Sequence, residues 1–262
     1  MVYEVLPSGQ SHPGRLVRIG ERVHRPTGAY SAAVHGFLLH LERTGFAGAP
    51  RFHGLDGEGR EILDYVQGEV PRPPVPGWAA TDEALESVAR LLRRLHDASE
   101  GYVPEADAPQ HEPPPPATWS GTLVGHNDLV PDNVVFRDGS AVAFIDFDLC
   151  APVDPLWDVA VALRHWLPIR DEADLEPAHL GTVPGHRFAL FCAAYGLADE
   201  DRPRLLDAML DCCVYADGFV RFHAGRGVPA WVTAMAEGRC ERHQRSARWL
   251  HRNRDALLGG SG

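Results

Sequence analysis

The chain has 262 residues, 44% of them hydrophobic, and a formal net charge of −11 at pH 7. That length and composition suit a globular protein with a sizeable core, and the surplus of acid argues against nucleic acid as a partner. No apolar run approaches the ~18 residues of a membrane helix, and the N-terminus lacks a basic-then-apolar leader pattern, so a cytoplasmic protein without a membrane partner is expected.

The five cysteines, Cys150, Cys192, Cys212, Cys213 and Cys240, include no C-x-x-C pair and read as reduced core residues rather than a zinc or disulfide framework. The fourteen histidines form no H-E-x-x-H pattern. All 25 Lys-or-Arg positions are Arg, so no lysine is available for any role.

Residues 3 to 25 read as a small antiparallel sheet, with strands Leu16 to Ile19 and Arg22 to Arg25 joined through Gly20-Glu21. Leu6 to Gly14 is turn-rich. Its small residues, Gly9 among them, suit a phosphate-covering loop as well as a plain one. Ser31 to Thr44 is a helix with Ala32, Leu38, Leu39 and Leu41 as apolar positions and Gly45 at its end. Arg51 to His53 and Glu61 to Tyr65 are expected strands around Asp56-Gly57. Prolines at 71, 73, 74 and 76 then shift the composition, placing a boundary between residues 1–68 and 69–262. Thr81 to Ser99 is a helix capped by the Thr81 hydroxyl, with Asp82 and Glu83 in its first turn and Leu85, Val88, Leu92 and Leu95 at helical spacing. Residues 101 to 117 are Pro-rich and read as an extended surface linker rather than a substrate lid.

His126-Asn127-Asp128-Leu129-Val130-Pro131-Asp132-Asn133 is the most informative segment. Asp128 and Asn133 stand in the D-x-x-x-x-N spacing of a kinase catalytic loop, where the Asp takes the acceptor hydroxyl's proton and the Asn holds a metal. Val134 to Phe136 and Ala141 to Ile145 are apolar runs around Asp138-Gly139, a hairpin-turn signal. A two-residue turn there pairs Asn133 with Phe144. It also makes Asp146 the diagonal neighbour of Asn133, about 7–8 Å away between backbones. Two oxygen ligands so placed can meet on one Mg²⁺. Turn and cap roles are the ordinary alternative for isolated Asp and Asn, but His126, the hairpin and Ile145-Asp146-Phe147-Asp148 together point to phosphoryl transfer.

Helices are expected near 155–166, 186–195 and 203–222. A last amphipathic helix carries Val232, Ala236, Cys240, His243, Ala247 and Leu250 on one face. Its Arg239, Arg242, Arg245, Arg248 and Arg252 read as a solvated face, with anion binding as the alternative.

The motifs together resemble the aminoglycoside phosphotransferase family, with its choline-kinase and homoserine-kinase-like relatives. The matching pieces are Leu91 to His96, His126 to Asn133, Ile145 to Asp148, and Val153-Asp154-Pro155-Leu156-Trp157-Asp158-Val159-Ala160. The resemblance spans about residues 8 to 166. It implies an α+β, bilobal protein-kinase-like fold, with a small N-terminal antiparallel sheet lobe and a larger, mainly helical C-terminal lobe. It implies Mg²⁺ and ATP or GTP between the lobes, with backbone near Asp64 and Val66 meeting the base. Asp128 would be the catalytic residue, with Asn133 and Asp146 as metal ligands. Asp148 would hold a second metal or orient Asp146. His126 would fix the loop by hydrogen bonding. Asp154 and Asp158 would brace it, a helix cap being the alternative for Asp158. Arg25 stands where the family usually has its phosphate-binding lysine, and Val34 or His35 stands where that lysine's Glu partner belongs, so the ion pair must be missing or rebuilt. The acceptor would be a small hydroxylated molecule. An aminoglycoside would suit an acidic pocket from Asp207, Asp211 and Asp217, as in antibiotic resistance; a catalytically weak nucleotide-binding regulator or scaffold is the alternative function.

Overall fold

The computed structural model describes residues 3–6, 16–105, 112–171 and 174–259; Gly9, expected in a phosphate-covering loop, lies outside them. Five strands, β1 (Tyr3–Val5), β2 (Val17–Ile19), β3 (Arg22–Pro26), β4 (Phe52–Leu55) and β5 (Arg60–Asp64), form one antiparallel sheet in the order β1-β2-β3-β5-β4. Gly20 takes φ +62° in the turn between β2 and β3, a conformation that costs glycine little. Register places Arg25 directly opposite Glu61. Along β5, Glu61 and Leu63 are the buried positions, as strand alternation requires.

Helix α1 (Ser31–Arg43) buries Val34, Phe37, Leu38 and Leu41. The expected apolar set was partly wrong: Ala32 and Leu39 are exposed. The buried residues follow the i, i+3, i+4, i+7 stripe, and Leu39 falls off it. Helix α2 (Asp82–Ser99) begins as expected, with the Thr81 hydroxyl accepting from the Ala84 N–H at 3.1 Å; such a cap contributes about 1 kcal/mol. Its apolar stripe of Leu85, Val88, Leu92 and Leu95 is buried.

Two short ribbons follow. Strand β6 (Leu123–Gly125) pairs with β9 (Ala151–Val153), and β7 (Val134–Arg137) pairs with β8 (Ser140–Phe144). The β7–β8 turn is the expected Asp138-Gly139 pair, with φ of +51° and +75°. The register differs from expectation because a bulge intervenes between Val135 and Phe136, so Val134 rather than Asn133 faces Phe144. Before the hairpin, Glu69 exchanges backbone hydrogen bonds with Phe136. Gly68 is required there, since a Cβ would lie 2.4 Å from the Phe136 carbonyl oxygen.

The remainder is mainly helical: α3 (Pro155–Trp166), α4 (Pro184–Tyr195), α5 (Arg202–Gly225), α6 (Pro229–Ala236) and α7 (Arg239–Leu258). Helix α5 packs against both α3 and α7. The single last helix expected from the pattern is two helices, broken where Gly238 takes φ +77°. Val232 and Ala236 are consequently exposed, while Cys240 and Leu250 are buried. Cys192, Cys212, Cys213 and Cys240 are buried thiols, and Cys150 is half-buried. Among the described residues no helix is long and apolar enough to cross a membrane.

Candidate active site

The two ribbons bring two loops together. The loop 126–133 leaves β6 and enters β7; the loop 145–150 leaves β8 and enters β9. Because β6 pairs with β9 and β7 with β8, both loops are held at both ends. The Ile145 N–H donates to the Asn133 carbonyl at 2.9 Å, so Asn133 lies beside the residue preceding Asp146 despite the bulge. The Asn133 amide Nδ2 donates to the Asp128 carboxylate at 3.0 Å and to the Asp128 carbonyl at 2.9 Å. Its Oδ1 is thereby turned away from Asp128. Burial pushes the Asp128 carboxyl up to about 7, and the nearby negative charge of Asp146 adds to the shift. The charge of Arg164 pulls the other way. Asp128, Asn133 and Asp146 therefore share one electrostatic neighbourhood.

The loop 126–133 is held from beneath. Asp158, fully buried in α3, accepts from the backbone N–H groups of His126 and Asn127, each at 2.7 Å, and contacts His96 Nε2 at 3.1 Å. Burial would raise its carboxyl, but the hydrogen bond and charge of His96, with that of His126, outweigh it and hold Asp158 below the usual carboxylate range. Asp158 therefore holds the start of this loop through two backbone N–H groups. The helix cap is Asp154, which accepts from Leu156 N–H at 2.9 Å and pairs with Arg204. His126 is also fully buried, and burial pushes its imidazole down toward the neutral form. Its Nε2–H donates to the Ile145 carbonyl at 3.0 Å, and Nδ1 accepts from the Asp128 N–H at 3.3 Å. His126 accordingly ties the two loops together. Trp166 Nε1 donates to the Leu129 carbonyl at 2.9 Å, fixing the end of α3 against the same loop.

Arg25 crosses from the sheet to the second loop. Its Nε donates to Glu61 at 2.6 Å, one terminal nitrogen to Asp146 at 2.8 Å and the other to Asp148 at 2.6 Å. Burial alone would lower the guanidinium's proton affinity, but Asp148, Asp146 and Glu61 together raise it. The ion pair that seemed missing is rebuilt. Glu61, on β5 rather than α1, supplies the acid, and His35 contacts its other oxygen at 2.7 Å. Burial raises the Asp148 carboxyl, Arg25 lowers it and Asp146 raises it further, for a net upward shift.

Of the remaining expected residues, Asp64 pairs with Arg22 and with His53 at 2.8 Å, and its N–H donates to Arg51. Its side chain belongs to the sheet. Val66 follows directly, and its backbone enters no described hydrogen bond. Asp207, Asp211 and Asp217 are each engaged separately, with Arg254 at 2.7 Å, Trp119 Nε1 at 2.8 Å and Arg221 at 2.8 Å. They do not converge on one pocket.

Three site residues escaped the sequence reading. Asn127 occupies φ +62°, where the family motif has Gly; its Nδ2 donates to the carbonyls of Gly125, Leu149 and Ala151 at 3.2–3.4 Å, while its Oδ1 is buried without a partner. The signal was the Asn itself, which tolerates the left-handed region better than other non-glycine residues. Gly125 is required because a Cβ would lie 2.7 Å from the Asp158 carboxylate. Glu61 was signalled by an acid at an inward position of an alternating strand.

The donor set suits Mg²⁺ in one respect and resists it in another. Asn133 Oδ1 and the second oxygen of Asp146 are hard donors outside the described hydrogen bonds, and the Asp146 side chain is 40% exposed. No cluster of three His, Cys, Asp or Glu exists among the described residues. A nucleotide-bound Mg²⁺ needs none, because one or two carboxylates and the phosphates complete it. The first oxygens of Asp146 and Asp148 are on Arg25, so metal and guanidinium must share these acids.

Two ribbons joined to an antiparallel sheet through Arg25, with an Asp–Asn pair beside a second Asp, define a kinase-like phosphotransferase fold. Comparison bears this out. The model of the phosphotransferase enzyme family matches residues 106–206. A trifolitoxin immunity protein from Rhizobium leguminosarum bv. trifolii is 30% identical over 261 residues, covering 92% of this chain and 93% of that protein. The choline/ethanolamine kinase family protein from Mesorhizobium loti superposes with a TM-score of 0.62 at 15% identity, over 95% of this chain and 92% of the other. The GDP complex of aminoglycoside 2'-phosphotransferase-IIIa superposes with a TM-score of 0.59, also at 15% identity, over 95% and 93%. The chain belongs to the phosphotransferase enzyme family.

Proposed function

We propose that the protein is a Mg²⁺-dependent phosphotransferase that moves the γ-phosphate of ATP or GTP to a hydroxyl of a small molecule. The observation that carries this reading is Asp128: half-buried, oriented by the Asn133 amide and raised to about 7, it sits where a proton acceptor works best near neutral pH. The acceptor oxygen forms the new bond to the γ-phosphorus as the bond to the β-phosphate oxygen breaks. Asp128 takes the hydroxyl proton, and the nucleoside diphosphate leaves. Asn133 and Asp146 would hold the Mg²⁺, which when bound neutralises charge on the β- and γ-phosphate oxygens. Asp148 orients Asp146 through their shared guanidinium. Arg25 stands in for the missing lysine beside the phosphates, and backbone after Asp64, near Val66, meets the base at the junction of residues 1–68 with 69–262. The likeness to a trifolitoxin immunity protein supports a protective role, in which a harmful compound is the acceptor. An aminoglycoside is the less favoured acceptor, since Asp207, Asp211 and Asp217 are already engaged.

A second reading, nucleotide binding with weak or no catalysis, is favoured by one observation: Arg25 occupies an oxygen of both Asp146 and Asp148. Nucleotide-induced thermal shifts with and without Mg²⁺ separate the two. The phosphotransferase reading expects a shift that needs Mg²⁺ and an acceptor-stimulated loss of nucleotide. A shift indifferent to Mg²⁺, with no nucleotide consumed across a screen of hydroxylated amines, sugars and acids, would leave the binding protein.

A further inference from the structure

A second cluster lies on the other side of Asp128. Arg164 and His165 end α3, Arg170 follows it, and Arg239, Arg242 and His243 open α7. Arg164 is the hub: one terminal nitrogen contacts His165 Nε2 at 2.6 Å and the other contacts His243 Nε2 at 3.4 Å. All six side chains are half-buried. Among the described residues none of the four arginines has a carboxylate within 4.0 Å, although the chain as a whole carries 36 acids against 25 arginines. The neighbouring acids are committed elsewhere, Asp174 to Arg245 and Asp217 to Arg221. Arg164 Nε and His243 Nδ1 are buried without partners. The first turn of α7, which carries Arg239 and Glu241, has no side-chain cap, so its backbone N–H groups have no side-chain acceptor.

Half-buried like charges repel and gain little from water, so such a cluster destabilises the unliganded protein. The electrostatics are consistent with this. Burial, then the surrounding arginines, push His165 and His243 strongly down, so both stay neutral, and burial with mutual repulsion lowers Arg170 and Arg239. An anion would relieve it, and guanidinium forks match carboxylate, phosphate and sulfate oxygens. The cluster adjoins the acceptor side of the catalytic centre: the charge of Arg164 reaches both Asp128 and Tyr215, and Trp166 anchors the end of α3 to the loop carrying Asp128.

We propose that Arg164, Arg170, Arg239 and Arg242 form an anion-binding pocket that holds a carboxylate, phosphate or sulfate group of the acceptor while its hydroxyl lies at Asp128. The acceptor is then a hydroxylated anion rather than an amine. This rests on the phosphotransferase reading for the acceptor role, but the pocket itself does not.

The test has two arms. In the first, inorganic sulfate is titrated into the nucleotide-free protein at constant ionic strength, with chloride as control, and the melting temperature is followed. A saturable, sulfate-specific rise is expected, and Arg239→Gln should abolish it. The same variant, and independently Arg242→Gln, should melt higher than the parent without sulfate because repulsion is relieved; a merely structural arginine would do the reverse. A flat titration, or an equal rise in both variants, overturns the pocket. In the second arm, Mg²⁺ and ATP or GTP consumption is compared with glycerate, glycerol 3-phosphate, glycerol and ethanolamine as acceptors. Stimulation by the two anions is expected, with KM raised by at least about tenfold in Arg239→Gln and kcat nearly unchanged, the effect of losing one charge-assisted contact. Turnover driven by ethanolamine or glycerol and indifferent to Arg239→Gln overturns the acceptor assignment. Specific sulfate binding with no nucleotide consumed under any condition supports the pocket and instead counts against the phosphotransferase reading.

Discussion

Replacing Arg25 by Met removes one guanidinium and leaves three carboxylates facing each other between the sheet and the loop 145–150. Glu61, 1% exposed, would retain only His35 at 2.7 Å. Deleting one partner of a buried ion pair costs about 3–5 kcal/mol. The surviving His35 contact places the expected loss near the lower figure, about 3 kcal/mol. The contacts to Asp146 and Asp148 count for less, because those side chains are 40% and 29% exposed; about 0.5 kcal/mol each is the appropriate scale. Glu61→Gln alone leaves Arg25 with two acids and should cost about 1–2 kcal/mol. The double variant should lose less than the sum, with a coupling of about 2 kcal/mol. Arg25→Lys should fall between parent and Met, since one ammonium cannot span three acids reached by a planar fork. Urea unfolding of the four proteins, without nucleotide or metal, measures the cycle. An Arg25→Met protein within about 0.5 kcal/mol of the parent, or strict additivity, would refute the claim that this side chain ties β3 to the loop 145–150.

Asp158→Asn should cost about 3 kcal/mol in the same assay, because one of its two oxygens becomes a donor facing the N–H group of either His126 or Asn127; a smaller loss than that of an exposed acid such as Glu58→Gln would remove the brace. Asn127→Ala should be less stable than Asn127→Gly by about 1 kcal/mol in thermal melts, as φ is +62°; the reverse order would contradict the backbone assignment. Stability should fall as pH drops below about 6.5, because the unfolded chain then binds a proton at His243, whereas burial and Arg164 hold the folded imidazole down at about 3. The slope from this group is at most about 1.4 kcal/mol per pH unit, and His243→Gln should flatten it. Asp128 acts oppositely. Its folded carboxyl, raised to about 7, takes a proton before the unfolded one does, so it adds stability as pH falls from 7 toward 4, and Asp128→Asn should steepen the acid loss.

What the sequence disclosed and what it concealed divide along the range of the interactions. The Asp128–Asn133 proximity, the Asp138-Gly139 turn and the Thr81 cap depend on residues within a few positions of each other, and the structure shows all three. The bulge at Val135 leaves no mark in an apolar run, so the hairpin register came out one residue off. Arg25 and Glu61 are far apart in the chain and meet only through the β3–β5 register, which no local pattern sets. The same holds for the contact of Arg164 with His243. Arg239 and Arg242 were read as part of a solvated stripe, and Arg245 and Arg252 do pair outward with Asp174 and Asp171. The helix break at Gly238 starts α7 near the end of α3, where His243 contacts Arg164, Arg242 donates to the Glu237 carbonyl and Arg239 lies over the Trp231 ring.

The most direct test of the account follows the nucleotide's γ-phosphate by phosphorus NMR in the presence of Mg²⁺ and a screened acceptor, comparing the parent with Asp128→Asn. The account predicts transfer that requires Mg²⁺ and falls by at least about 100-fold in the variant, the usual scale for losing a positioned general base, with nucleotide affinity retained. Transfer at the parental rate without the Asp128 carboxylate would contradict it.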